Sequence, residues 1–238
     1  MPPRPRPRPR VAVVVFPGSN CEQDVAYALN WLGLDSAYVW HGDHSLDGFG
    51  AVVLPGGFSY GDYLRCGAIA RFSPIMDAVT RFARAGRPVL GICNGFQILA
   101  EAHLLPGALL RNAGLKFICR DVALRVEARC DWLDAPTGSV LHLPINHNEG
   151  NFVCDSATLD DLRADDRVIV RYCDEEGRTD GVSAPNGALD NIAGITNAAR
   201  NVFGLMPHPE RAVDPTVGGS DGQLVFQSLL QQFTQEVF

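Results

Sequence analysis

Short apolar runs alternate with amphipathic segments over the first hundred residues of the chain. The apolar runs cover residues 11–16, 37–40, 51–54 and 89–92. Each run is too short for a buried helix and is typical of a strand that is covered on both faces. Apolar residues with helical spacing follow these runs at 21–32, 74–85 and 96–105. The alternation predicts an α/β fold, with an open, mostly parallel sheet flanked by helices on both faces.

The pattern changes between residues 116 and 206. Short β-like runs recur there between charged loops, at 121–126, 139–145, 168–172, 192–196 and 202–206. We expect these runs to form an antiparallel extension of the same sheet. A closing helix is predicted near 221–236, with its apolar side chains facing the core: Leu224, Phe226, Leu229, Leu230 and Phe233. Because no repeat or linker interrupts the pattern, residues 11–238 are predicted to be one domain.

The first ten residues differ from the rest of the chain. Residues 2–10 alternate proline with arginine, a composition that cannot bury a core. We therefore expect residues 1–10 to be an extended or disordered tail.

Composition and charge exclude several classes of partner. The chain has 238 residues and a formal net charge of -7, which argues against nucleic acid and against anionic membranes. Its longest apolar runs, of about six residues, are far shorter than a membrane helix or a signal peptide requires. These features predict a cytoplasmic protein.

The cysteines and histidines give no metal-binding pattern. The seven cysteines contain no C-x-x-C pair, so neither a disulfide framework nor a zinc site is expected. His41 and His44 flank Gly42 and Asp43, but no further ligands cluster near them in the sequence. We predict that the chain holds no metal and no cofactor.

One cysteine has unusual surroundings. Cys93 lies between Gly91 and Gly95, after a predicted strand and before a predicted helix. This is the pattern of a nucleophile elbow, in which glycines permit a sharp turn and the side chain emerges at the carboxyl edge of the sheet. A helix N-terminus and a nearby histidine would both favour the thiolate. Cys93 is therefore the candidate nucleophile.

A candidate base follows the last apolar run. His208 and Glu210 occur in the segment Met-Pro-His-Pro-Glu, directly after residues 202–205. Side chains two residues apart in an extended chain point to the same side, so Glu210 can orient the His208 ring. Cys93, His208 and Glu210 are thus the expected catalytic triad.

Two backbone N–H groups are candidates for an oxyanion hole. The first belongs to Asn94, which follows the nucleophile. The second should come from a loop after a neighbouring strand, where Gly57 is the better candidate. A plain β-turn is the alternative interpretation of that loop.

The motif GICNGFQ at 91–97 and the late HPE at 208–210 resemble those of the triad (class I) glutamine amidotransferases. Further stretches resemble one branch, the glutaminase subunits that serve a synthetase of purine biosynthesis. These are FPGSNCEQD at 16–24, LPGGFSYGDYLRCGAIA at 54–70, NHNEGNF at 146–152, DNIAGITN at 190–197 and NVFGLMPHPER at 201–211. The resemblance extends from about residue 11 to the C-terminus. Cys66 and Asn148 depart from the pattern, which has alanine and glycine there.

The resemblance implies a reaction. Cys93 would attack the side-chain amide of glutamine, and ammonia would leave with a proton from His208. The resulting γ-glutamyl thioester would then be hydrolysed to glutamate. The residues implied to hold glutamine are Gln97, Ser59, His147, Asn148 and Glu149.

The resemblance also implies partners. The chain has neither G-x-x-x-x-G-K-[ST] nor G-x-G-x-x-G after a strand, so ATP should bind elsewhere. A separate large synthetase subunit would use ATP and Mg to convert formylglycinamide ribonucleotide to the amidine, together with a small third subunit. The long loop 60–71 beside the site is predicted to form part of the docking surface.

Three other functions fit parts of the pattern. The chain could be a triad glutaminase that serves another synthetase, since the core motifs are shared. It could be a peptidase or stress protein with a cysteine elbow, although Gln97 and Glu210 do not fit that class. It could also be a non-catalytic scaffold, which the intact triad argues against.

Overall fold

The computed structural model describes residues 10–133, 135–181 and 184–235, and in α5 the side chains of 230 and 232–235 are not described. The strands are β1 (Arg10–Val15), β2 (Ser36–Trp40), β3 (Phe49–Leu54), β4 (Val89–Ile92), β5 (Ala108–Leu110), β6 (Ile118–Val126), β7 (Val140–His147), β8 (Asn151–Val153), β9 (Val168–Cys173), β10 (Ile192–Thr196) and β11 (Val202–Leu205). The helices are α1 (Glu22–Trp31), α2 (Pro74–Arg84), α3 (Asn94–Glu101), α4 (Ser156–Ala164) and α5 (Gln223–Gln235).

One mixed sheet organises the described residues. Its nine strands lie in the order β2-β1-β3-β4-β11-β10-β9-β6-β7, and β5 pairs with β8 separately. The first five strands of that order are parallel, whereas each later neighbour is antiparallel. The predicted α/β class and its antiparallel extension are confirmed. The parallel half has the flavodoxin-like order, in which ligands bind beyond the carboxyl ends of the strands.

Burial explains why the central strands are apolar throughout. Residues 11–14, 51–54 and 89–92 are buried, as expected for central strands of a sheet that has helices packed on both faces. The α2 side chains of Ile75, Val79 and Phe82 are buried against this sheet, as their spacing predicted. None of the helices in the described ranges is both long and apolar enough to cross a membrane.

Several boundaries differ from the predicted ones. Strand β1 begins at Arg10, the last residue of the predicted tail; residues 1–9 of that tail lie outside the described residues. Helix α3 begins at Asn94, two residues earlier than predicted, because Cys93 is its N-cap. It ends before His103, whose φ of 55° leaves the helical region. In α5, Phe226 is buried as predicted, while the predicted inward side chains of 230 and 233 lie outside the described ones.

Two features of the fold did not follow from the apolar pattern. Strand β11 belongs to the parallel half, beside β4, although it was expected within the antiparallel extension. Helix α4 was not predicted, because Leu162 is its only buried residue. Its sequence signal is a cap: the Asp155 side chain accepts a hydrogen bond from the Thr158 N–H at 2.7 Å.

The contact between α3 and β3 yields a stability prediction. A Cβ atom on Gly95 would lie 1.9 Å from the carbonyl oxygen of Leu54, and backbone cannot yield as a side chain can. We expect Gly95→Ala to lower the free energy of unfolding by about 1–3 kcal/mol or more, measured by urea denaturation. Gly114→Ala is the matched control, because its Cβ would meet no atom within 4 Å. Equal urea midpoints for the two variants would contradict the tight packing of α3.

Candidate active site

Cys93 occupies a strained turn between β4 and α3. Its φ of 51° and ψ of -105° lie outside the regions that residues with a Cβ normally adopt. Its N–H donates to the carbonyl of Leu205 in β11 at 2.8 Å, which fixes the turn to the neighbouring strand. Glycine is needed on both sides, because a Cβ on Gly91 would lie 2.7 Å from the carbonyl carbon of Gly95. The predicted elbow is therefore present.

His208 and Glu210 form a buried pair beside this turn. His208 lies three residues after β11, whose parallel neighbour β4 ends just before Cys93. Its Nδ1 atom is 2.6 Å from Oε1 of Glu210, and both side chains are almost completely buried. The predicted contact between the two side chains is confirmed. Backbone anchoring comes from β7, where the carbonyl of Pro144 accepts the His208 N–H at 2.8 Å.

The charges around His208 set its protonation state. Burial alone lowers the pKa of the imidazole, but the Glu210 carboxylate and the Cys93 thiol outweigh it and hold the pKa well above its ordinary value. The ring is therefore protonated at neutral pH. Its Nε2 atom is buried and forms no hydrogen bond with any described residue, although the ring interacts with the Cys93 thiol. Nε2 is the atom available to exchange a proton at the nucleophile.

A second cysteine, which the sequence did not single out, contacts the same histidine. Cys21 is buried, and its Sγ atom, a ring nitrogen of His208 and a carboxylate oxygen of Glu210 lie within 4.8 Å of one another. Arg211 donates to the Cys21 sulfur at 3.2 Å and to Asp24 at the same distance. Cys21 is therefore a second buried thiol beside the imidazole. Only its place in the motif at 16–24 could have indicated this.

The two predicted oxyanion donors lie next to the nucleophile. Asn94 is the first residue of α3, where backbone N–H groups have no partner within the helix. Gly57 lines the same pocket as Cys93 and has a φ of 149°. A Cβ on Gly57 would lie 2.7 Å from the Cα atom of Ser19, so only glycine fits there.

A pocket of about 230 Å³ opens onto the nucleophile. It is lined by Gly57, Phe58, Asp62, Cys66, Cys93, Gln97, Arg111, Asn146, His147, Asn148 and Glu149. Four of the five residues that the resemblance assigned to glutamine are therefore on its wall. Ser59 is not; its N–H donates to the Asn94 side chain at 3.2 Å. A larger cavity of about 540 Å³ lies beyond Glu210, and its lining does not include Cys93.

The Gln97 amide is engaged with the protein itself. Its oxygen accepts from the Asn94 side chain at 2.8 Å, and its nitrogen donates to the carbonyl of Glu149 at 2.5 Å. Gln97 therefore ties α3 to the loop after β7. The two residues that depart from the family pattern, Cys66 and Asn148, both line the pocket.

His147 lies in the pocket wall as a neutral ring. The Asn112 amide donates to the carbonyls of His147 and Lys116, and its oxygen accepts from the Gly150 N–H. This orientation presents the amide oxygen to Nδ1 of His147 at 3.1 Å, so Nδ1 carries the proton. Burial, aided by the positive charge of His208, lowers the pKa of His147 to about 4. The buried Nε2 atom of His147 is consequently an acceptor, and no described residue occupies it.

The low pKa of His147 predicts a pH-dependent stability. In the unfolded chain its pKa is about 6.5, so between that value and about 4 the unfolded state binds a proton that the folded state does not. Stability should therefore fall as the pH drops through this window, by about 3 kcal/mol from this group. We expect His147→Gln to flatten the pH dependence of the urea midpoint, whereas the exposed-site control His44→Gln should keep the wild-type slope. Parallel curves for all three proteins would contradict the assignment.

Comparisons with known proteins agree with this geometry. Residues 8–223 match the family model described as the CobB/CobQ-like glutamine amidotransferase domain. A PurQ subunit of phosphoribosylformylglycinamidine synthase from Gloeobacter violaceus is 56% identical over 92% of this chain and 96% of its own length. The corresponding subunit from Moorella thermoacetica is 54% identical, again over 92% of the chain and 94% of its own length.

A solved structure is similar over nearly the whole chain. The structure of PurLQS from Thermotoga maritima contains a chain that is 44% identical, with a TM-score of 0.84, and the match covers 95% of this chain and 99% of that one. A more distant chain from Thermoplasma acidophilum, described as a GMP synthase subunit, is 17% identical with a TM-score of 0.63 and shares the fold alone. The family predicted from the motifs is confirmed. The chain belongs to the glutamine amidotransferases and, within them, to the PurQ subunits of phosphoribosylformylglycinamidine synthase.

Proposed function

We propose that this chain hydrolyses glutamine to glutamate and ammonia and passes the ammonia to a separate synthetase subunit. That subunit would convert formylglycinamide ribonucleotide to formylglycinamidine ribonucleotide in purine biosynthesis, using ATP and Mg. The observation that carries the proposal is the buried pair of His208 and Glu210 against Cys93, at the adjacent ends of β4 and β11. The similarity of this chain to PurQ subunits supports the assignment to purine biosynthesis.

The geometry supports a two-stage reaction. In the first stage the Cys93 thiolate attacks the amide carbon, while the N–H groups of Asn94 and Gly57 stabilise the oxyanion. The protonated His208 gives its proton to the departing ammonia, which leaves a γ-glutamyl thioester on sulfur. In the second stage neutral His208 takes a proton from water, the hydroxide attacks the thioester, and glutamate leaves as the thiolate is restored. Glu210 keeps the imidazole oriented in both stages and compensates its positive charge whenever the ring is protonated.

The product explains why a partner is needed. Ammonia released into neutral water is protonated and ceases to be a nucleophile, so it has to reach its acceptor along an enclosed path. The similar chain from Thermotoga maritima was solved in PurLQS, which supports an assembly with a large synthetase subunit and a small third subunit. We propose such an assembly for this chain as well.

The loop 60–71 is the docking surface that we propose. Tyr63 and Leu64 are 87% and 70% exposed, and Phe72, which follows the loop, is 73% exposed. Large apolar side chains with such exposure are typical of an interaction surface when they cluster. Asp62 and Cys66 of the same loop line the pocket, so a partner seated here would act directly on the glutamine site.

Glutamate release by the purified chain tests the reaction. We expect Cys93→Ala to abolish release, since it removes the sulfur that forms the thioester, whereas the exposed-cysteine control Cys119→Ala should leave it unchanged. Release should also increase when the synthetase subunit, formylglycinamide ribonucleotide and ATP are added. A rate of release that does not change on these additions would assign the chain to another synthetase. Cleavage of peptides in place of glutamine would assign it to the peptidases.

Partner binding tests the docking surface. We expect Tyr63→Ser to weaken the complex by roughly tenfold or more, since it removes a large exposed apolar contact. Tyr38→Ser is the matched control, because Tyr38 is 55% exposed on β2, the outermost strand of the parallel half. The measurement is the dissociation constant of each variant with the synthetase subunit. Equal constants for the two variants would place the interface elsewhere.

A further inference from the structure

Cys21 is a buried side chain beside the imidazole that the two-stage reaction does not use. It lies in the turn after β1, at the N-cap of α1, and is 2% exposed. Its Sγ atom, a ring nitrogen of His208 and a carboxylate oxygen of Glu210 lie within 4.8 Å of one another. A free buried cysteine usually behaves as a small apolar residue. Cys21 has polar neighbours instead, so its surroundings call for a different explanation.

Two hydrogen bonds orient the Cys21 thiol. Its S–H donates to Oδ1 of Asn20 at 3.2 Å, and the Arg211 guanidinium donates to the sulfur at 3.2 Å. Arg211 is itself held by the carboxylate of Asp24 at 3.2 Å. Because the thiol hydrogen is directed at Asn20, the lone pairs of the sulfur are left for positively charged neighbours. Arg211 is one such neighbour, and the protonated His208 is the other.

The same turn is fixed to the loop that supplies an oxyanion donor. The N–H groups of Asn20 and Cys21 both donate to the carbonyl of Gly56, at 3.4 and 3.3 Å, and Gly57 follows directly. A Cβ on Gly56 would lie 3.0 Å from the Cys21 sulfur and 2.8 Å from Cε1 of His208. The sulfur and the imidazole therefore pack against the same glycine, and a change at position 21 alters the space in which the ring sits.

The sulfur lies close to the ring without occupying the atom that exchanges the proton. Nδ1 of His208 is bound to Glu210, whereas the buried Nε2 has no hydrogen bond to any described residue. We propose that Cys21 is a positioning residue, which holds the His208 ring against Glu210 so that Nε2 stays directed at Cys93. This inference rests on the proposed function and adds a fourth side chain to the triad.

The proposal predicts a change in the protonation of His208. In the described part of the chain, the titratable and charged groups around the ring are Glu210, Cys93, Cys21 and His147, with Arg211 bonded to Cys21. Burial lowers the pKa of His208, whereas Glu210, Cys93 and the contact with Cys21 raise it. Loss of the Cys21 thiol should therefore lower this pKa. Because protonated His208 is the acid of the first stage, the alkaline limb of kcat/KM should move to lower pH.

The test measures glutamate release as a function of pH in the complete complex with the synthetase subunit, its ribonucleotide and ATP. We expect Cys21→Ala to lower kcat by about tenfold and to change KM by less than about twofold, since the ring and not the substrate loses a contact. Its alkaline limb should move to lower pH. Cys21→Ser keeps a polar atom beside the ring, so it should recover most of the rate and of the wild-type pH profile.

A control and a second measurement separate positioning from packing. Cys130→Ala removes a half-buried thiol that does not line the pocket, and it should keep the wild-type profile. Urea denaturation gives the free energy of unfolding of each variant. If Cys21 only fills space, Cys21→Ala will lower that free energy and leave the alkaline limb unchanged. This result would overturn the proposal.

Two further outcomes are distinguishable. If Cys21→Ala does not fold, Cys21→Val fills the space without a polar atom and should show the same shift of the alkaline limb. A limb that stays at the wild-type pH in this variant would overturn the positioning role while glutamine hydrolysis stands. A wild-type complex that releases no glutamate from glutamine would overturn the proposed function itself.

Discussion

The site depends on one buried ion pair. His208 and Glu210 meet at 2.6 Å where neither side chain has appreciable contact with water. An imidazolium without a carboxylate would be too costly to bury there, and a carboxylate without its cation equally so. Two neighbouring segments, the chain around His208 itself and strand β7, fix the position of the pair. Pro207 and Pro209 restrict the backbone around the histidine, and the carbonyl of Pro144 in β7 accepts its N–H.

The fold brings this pair to the nucleophile by placing β11 next to β4. Both strands end at the same edge of the sheet, and the Cys93 N–H bonds to the last residue of β11. The strained backbone at Cys93 is stable because glycines at 91 and 95 admit close neighbours that a side chain would exclude. The loop after β7 completes the pocket and is held by Gln97 and Asn112. Catalysis and packing therefore rest on the same contacts.

Local patterns in the sequence were enough to predict the parts of the site that are close along the chain. The elbow around Cys93 and the two-residue spacing of His208 and Glu210 are local, and both were predicted correctly. Cys21 and Arg111 could not be found in this way, because they reach the site only through tertiary contacts. The same reason explains β11, since an apolar run does not specify which strand it will pair with.

For two further residues, the contacts in the structure differ from the role that the resemblance implied, and each difference has a physical cause. Ser59 belongs to a motif that adjoins the pocket, but its N–H bonds to Asn94 and its side chain does not line the wall. Gln97 lines the wall as the resemblance implied, yet its amide is already bonded to Asn94 and to the loop after β7. A motif shows that a residue is near the site, whereas the hydrogen bonds around it decide what its side chain can do.

The protonation state of His208 is the most direct test of this account. Its imidazole resonances can be followed by NMR as a function of pH in the wild type and in Glu210→Gln. The account predicts that the wild-type ring stays protonated through the neutral range, because Glu210 and Cys93 raise its pKa against the effect of burial. Without the carboxylate at 210, burial should prevail and the pKa should fall. A wild-type ring that titrates at the ordinary value for histidine, unchanged by the substitution, would contradict the account.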